Sequence, residues 1–161
     1  MNIDIICVGK LKEKYWTDAV AEYSKRLSRF CRLNIIELAE SRLPDGASPA
    51  QEEAVIQAES KAIEARMNKG QGSFVIALDV RGKELSSEQL AEKMAALGVE
   101  GKSRLVFLIG GSLGMSRELM DKADMRLSFS PMTFPHQMMR VILLEQIYRG
   151  FKINNHESYH K

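Results

Sequence analysis

The chain has 161 residues, of which 45% are hydrophobic and 27% charged, with a net charge of +2. That length predicts one domain, 1–161, with a sizeable core, and the composition is ordinary for a soluble globular protein. No apolar run approaches a membrane span, and residues 1–8 lack the basic start and cleavage site of a secretory signal, so a cytoplasmic protein with no membrane partner is expected. Neither of the two cysteines has metal-ligand spacing, in keeping with a reducing compartment, and Cys7 reads as a buried inert thiol.

In chain order, Ile3–Val8 is a short apolar run ended by Gly9 and predicts a buried strand. Tyr15–Phe30 carries Trp16, Val20, Tyr23 and Leu27 at helical spacing. Leu33–Leu38 predicts a second strand, and Ala39–Ser48 a loop with Pro44 and Asp45-Gly46 as turn signals. Ser48-Pro49-Ala50-Gln51 starts a helix with a capping serine and proline at the first helical position; it runs to about Asn68. Ser73–Leu78 predicts a third strand. Ser86-Ser87-Glu88-Gln89 is a second capping box, opening a helix that stops near Gly98. Arg104–Ile109 is a fourth strand, followed by the glycine loop Gly110–Gly114 and a short helix, Met115–Ala123. Met125–Phe129 is the fifth strand. Prolines 131 and 135 stiffen the next loop, and a helix and polar tail close the chain.

Strand and helix alternate five times. The fold class is therefore α/β, a parallel sheet of about five strands covered by helices on both faces. Ligands of such sheets bind beyond the carboxyl ends of the strands. Three loops lie there: Asp79–Lys83, Gly110–Gly114 and Ser130–Pro135. Gly110-Gly111 either lets the backbone approach a ligand or makes a tight strand-to-helix turn. Its spacing does not fit the dinucleotide fingerprint, no Walker motif is present, and a nucleophile elbow is absent. His136, His156 and His160 have no partner cysteines and no H-E-x-x-H arrangement, so no metal is expected.

Charge is uneven. Lys10–Arg32 holds seven basic and three acidic residues, whereas Leu33–Asp79 holds four basic and eight acidic. Pro131–Lys161 holds four basic and two acidic residues and all three histidines. Two basic segments thus allow a polyanion partner, and solvated helix faces explain them equally well.

Several stretches together carry a resemblance: Val8-Gly9-Lys10-Leu11, Ala77–Lys83, Phe107–Gly111, Leu127-Ser128, Thr133-Phe134-Pro135-His136, Arg140, Glu145–Arg149 and Tyr159-His160-Lys161. They span nearly the whole chain. It resembles the small methyltransferases of the SPOUT (α/β-knot) class that methylate N3 of a pseudouridine in 23S ribosomal RNA. The resemblance implies a C-terminal trefoil knot, a homodimer, S-adenosyl-L-methionine as cofactor and the large ribosomal subunit as partner. It implies a cofactor site that includes Leu78, Gly110, Phe129, Ser130, Pro131, Met132, Thr133 and Phe134. The residues agree, because backbone-rich loops suit an adenine edge and Leu78, Met132 and Phe134 supply apolar walls.

Methyl transfer to an imide nitrogen requires loss of a proton, and a cation near the ring carbonyls favours the anion. Arg140 lies one turn after His136 on the last helix, so the two share a face beside the proline loop. They are the first catalytic candidates, with Tyr159 and His160 of the tail next. An interface ion pair for Arg140 and a frayed terminus for the tail are the plainer alternatives. A catalytically silent RNA-binding dimer, or a transferase acting on another RNA, is the rival function. The last helix carries Met138, Met139, Val141, Ile142, Leu144, Ile147, Tyr148 and Phe151, more apolar surface than one sheet requires, and part of it is expected to bury against a second copy.

Overall fold

The computed structural model describes all 161 residues. Its elements are β1 (Asn2–Val8), α1 (Lys14–Leu27), β2 (Arg32–Leu38), α2 (Pro49–Met67), β3 (Ser73–Glu84), α3 (Ser87–Val99), β4 (Arg104–Ile109), α4 (Arg117–Lys122), β5 (Met125–Ser128) and α5 (His136–Asn154). The five strands form one parallel sheet in the order β2-β1-β4-β3-β5.

The uniformly apolar strands have a simple cause. Successive side chains point to opposite faces, and both faces are covered. Ile3, Ile5 and Cys7 of β1 join Leu105, Phe107 and Ile109 of β4 beneath Val20 and Leu27 of α1, Leu90, Met94 and Leu97 of α3, and Leu143, Leu144 and Ile147 of α5. Ile6 and Val8 join Val75, Ala77, Val106 and Leu108 against Ile63 and Met67 of α2 and Leu119 of α4. Each such side chain contributes about 1.5–3 kcal/mol on full burial.

Both capping boxes form. Ser48 Oγ accepts from Gln51 N–H at 3.2 Å while Gln51 Oε1 accepts from Ser48 N–H at 2.8 Å. Ser86 and Gln89 repeat the arrangement at 3.2 and 2.9 Å. Each cap contributes about 1 kcal/mol and fixes where its helix starts. Cys7 is fully buried and desolvation pushes its thiol up to about 11.

One element departs from the sequence reading. Strand β3 does not end at Leu78 but runs on to Glu84, so Asp79–Lys83 is not a free loop. Leu127 of β5 pairs first with Leu78 and again with Lys83, and the residues between bulge outward. The physical reason is Gly82. A Cβ there would lie 2.7 Å from the carbonyl carbon of Arg126 and 2.8 Å from Leu127 N. Only glycine lets the extension return this close to β5.

Candidate active site

The carboxyl ends of β3, β4 and β5 converge on a cavity of about 710 Å³, the size of a small-molecule site. The β3 bulge, the glycine loop, the proline loop and the first turn of α5 wall it. Seven of the eight residues expected to bind the cofactor line it: Leu78, Gly110, Phe129, Ser130, Met132, Thr133 and Phe134. Pro131, which sits exposed at the outer bend of the loop, does not.

Hydrogen bonds from short side chains shape the walls. Ser128 Oγ lies 3.1 Å from both Val80 O and Ser130 O, tying the β3 bulge to the proline loop. Ser130 Oγ accepts from Met132 N–H at 3.0 Å, and Asp79 Oδ1 accepts from Arg81 N–H at 3.0 Å. Gly110 is needed for the loop itself. A Cβ there would meet the carbonyl carbon of Gly114 and Met115 Cγ, each at 2.9 Å. These contacts are the tight-turn reading of Gly110, and the same residue also lines the cavity. Beneath the loop, Glu59 of α2 is buried and accepts from Ser41 N–H at 2.9 Å. Its other oxygen stands 2.6 Å from where a Gly111 Cβ would be, and burial raises its pKa.

The four catalytic candidates separate into three places. His136 lines the cavity. Burial first, and then the charge of Arg140, lower its pKa. Arg140 faces the same Gly9 turn as His136 but does not line the cavity, and it is only 1% exposed. Its Nη1 donates to Glu37 Oε2 at 2.7 Å, and its Nη2 to Val8 O at 3.0 Å and Gly9 O at 2.5 Å. It thus ties α5 to the ends of β1 and β2, and the ion pair is internal to the chain. Its Nε has no partner. Tyr159 and His160 lie elsewhere, packed on the second half of α5 and the start of α3, and do not line the cavity of their own chain.

Several cavity residues carry no distinct signal in the sequence. Arg126 belongs to β5, Met115 precedes α4 and Met120 lies within it, and Met139 lies one turn beyond His136. Only Met139 is within reach of a spacing argument, at three residues from His136 on one helix face. No group of three or more His, Cys, Asp or Glu side chains is placed to hold a metal ion, and no helix is long and apolar enough to cross a membrane.

The two basic segments join within one chain. Tyr23 of α1 stands edge-on to Tyr148 of α5 at 6.4 Å, and Phe30 stacks on Phe151 at 5.6 Å. Arg26 lies 5.9 Å over Tyr148, and Lys152 lies 5.9 Å over Phe30.

The parallel α/β sheet, covered on both faces, has its cavity at the β3–β5 strand ends, where ligands of such sheets bind. The family profile described as “Predicted SPOUT methyltransferase” matches residues 1–160, and the chain belongs to that family. A protein of Clostridium novyi (strain NT) named “Ribosomal RNA large subunit methyltransferase H” is 58% identical over 161 residues, covering all of both chains. One of the same name from Bifidobacterium animalis subsp. lactis is 53% identical with the same full coverage. Among solved structures, “a probable methylase family protein” from Haemophilus influenzae Rd KW20 matches with a TM-score of 0.55 at 14% identity. That match covers 99% of this chain and 70% of the other, and it supports the fold alone.

Proposed function

We propose that the protein is an S-adenosylmethionine-dependent methyltransferase acting on N3 of a pseudouridine in 23S ribosomal RNA of the large subunit. The observation that carries the reading is the cavity, in which the glycine loop and the proline loop meet with Leu78 and His136. Its size suits a nucleoside bearing an amino-acid arm, and its walls mix apolar side chains with loop backbone. When bound, the cofactor would supply an electrophilic methyl group: its S–CH3 bond would break as the N–CH3 bond forms, the neutral thioether would leave, and the N3 proton would pass to water.

The chain's own residues hold, align and exclude water. Leu78, Phe129 and Phe134 offer apolar contact, while Gly110, Ser130, Met132 and Thr133 offer backbone groups. Arg140 fixes the Gly9 turn beside His136, and we assign it a positioning role. His136, its pKa lowered, faces the cavity as a neutral ring near pH 7. Tyr159 and His160 do not line their own chain's cavity, and on this reading they reach the substrate in the cavity of a second copy. The half-buried apolar residues Met138, Val141 and Ile142 on α5 are the surface for that homodimer. The C-terminal trefoil knot belongs to the same reading. On it the enzyme works in the cytoplasm beside its RNA.

Calorimetric titration with S-adenosylmethionine should give saturable heat, and mass spectrometry of large-subunit particles should find one added methyl group on one pseudouridine. Heat without a methylated product would favour a silent RNA-binding dimer. Mixed dimers of one tail-deleted copy and one copy with a blocked cavity should retain a single working site. Sedimentation of a monomer at micromolar concentration would refute the shared site.

A further inference from the structure

The C-terminal tail is docked along its own helix. Asn155 ends α5, and His156 takes a left-handed φ of 55°, which turns the chain back. Glu157 N–H donates to Lys152 O at 3.0 Å and closes that turn. The chain then returns alongside α5, where the Tyr159 ring stands edge-on to Tyr148 at 5.0 Å.

Glu145 stands at the centre of the contacts that hold the tail. Its Oε2 accepts from the Tyr159 hydroxyl at 2.9 Å. Its Oε1 accepts from Arg149 Nε at 2.9 Å and lies 2.7 Å from Arg149 Nη2. Arg149 in turn lies 4.7 Å over the Tyr159 ring, and its Nη1 is 3.2 Å from His160 Nδ1. Guanidinium nitrogens only donate, so His160 Nδ1 must accept. The ring proton then sits on Nε2, which donates to Glu88 Oε1 at 2.7 Å. One carboxylate thus holds a phenol and a guanidinium, and through the guanidinium it selects a histidine tautomer. Burial first, and then Glu145, raise the pKa of Tyr159, so the phenol stays protonated and donates. Tyr23 of α1 faces the same carboxylate. Glu145 does not line the cavity.

We propose that Glu145 is a positioning residue for methyl transfer, holding Arg149 and Tyr159, and through Arg149 orienting His160, in the arrangement the tail presents to the acceptor base. The inference rests on the functional reading above, and it adds a residue that acts on the reaction only through its neighbours.

The test compares wild type with E145Q, E145D and E145A in methylation of large-subunit particles. E145Q keeps the side-chain volume and removes the charge. It should lower kcat by about tenfold or more while the affinity for S-adenosylmethionine stays within about twofold. E145D should recover part of the loss. Adding R149A to E145A should cost little beyond R149A alone, because both remove the same constraint. A readout independent of activity is trimming by a carboxypeptidase, which should release Lys161, His160 and Tyr159 about fivefold faster from E145A. A kcat within about twofold of wild type in E145A would overturn the proposal, as would parallel loss of kcat and cofactor affinity. A wild-type protein that binds no cofactor and methylates no particle would instead refute the functional reading, and the trimming rates would still judge the docking.

Discussion

Two arginines on one helix have opposite fates. Arg140, in the first half of α5, is 1% exposed and spends its charge on Glu37 and on two main-chain carbonyls. Arg149, nine positions on, keeps a quarter of its side chain in solvent and is shared among Glu145, the Tyr159 ring and His160. Burial and partner type separate the roles. An arginine whose donors end on strand carbonyls holds the architecture together. One that is paired only to side chains at a surface can be lent to a substrate. Sequence spacing favours Arg140 for catalysis, because it lies beside His136. On the function proposed above, that weight moves to Arg149, and Arg140 serves as support for the Gly9 turn.

The sharpest way to break the comparison concerns the tail that Arg149 serves. Deleting Tyr159-His160-Lys161 should abolish methyl transfer, measured as incorporated label, while calorimetry finds cofactor affinity nearly intact. Appreciable transfer by the shortened protein would detach the tail from the chemistry.

Next is the direct exchange of the two arginines. Arg140→Leu removes the partner of Glu37 and leaves Val8 O and Gly9 O without their donor, so urea unfolding should find a loss of about 3–5 kcal/mol. Arg149→Ala breaks a partly exposed i,i+4 pair and a cation–π contact, and should cost about 1 kcal/mol or less. Its rate should fall about a hundredfold. Equal stability losses in the two variants would erase the distinction.

Gly110→Val sharpens the other side of the comparison, the cavity that Arg140 supports from behind. Its Cβ must displace Gly114 or Met115, so cofactor affinity should weaken about tenfold, or about 1.4 kcal/mol, with the fold retained. Unchanged affinity by calorimetry would move the ligand away from the glycine loop.

The smallest effect is a pH dependence. The folded-state pKa of His136 lies below its ordinary 6.5, through burial and then Arg140. Between those two values the unfolded chain binds the proton more readily, so stability present above 6.5 is lost as pH falls through the folded value. Unfolding free energies from pH 7.5 downward should therefore fall less steeply for His136→Gln than for wild type. Identical slopes would show that His136 titrates alike in both states.

Much of the fold is legible because local chemistry carries it. Ser48-Pro49-Ala50-Gln51 and Ser86-Ser87-Glu88-Gln89 state their helix starts in four residues each, and both caps form as read. The apolar runs Ile3–Val8 and Arg104–Ile109 predict strands buried on both faces, which is where they lie. The proline loop and glycine loop, placed by the strands they follow, are recognisable as cavity walls. What sequence cannot state is contact between distant residues. Nothing near Gly82 announces that β5, more than forty residues later, presses against it and turns an expected loop into strand. Nothing near Arg140 names Glu37 or the carbonyl of Gly9. The tail shows the limit most plainly. Read alone, Tyr159 and His160 are the end of a polar segment, and ends fray. They stay docked because Glu145 and Arg149 stand one turn apart on α5 and Glu88 opens α3. A sequence determines which groups can pair by their chemistry. Only the packed chain decides which of them come within hydrogen-bond distance.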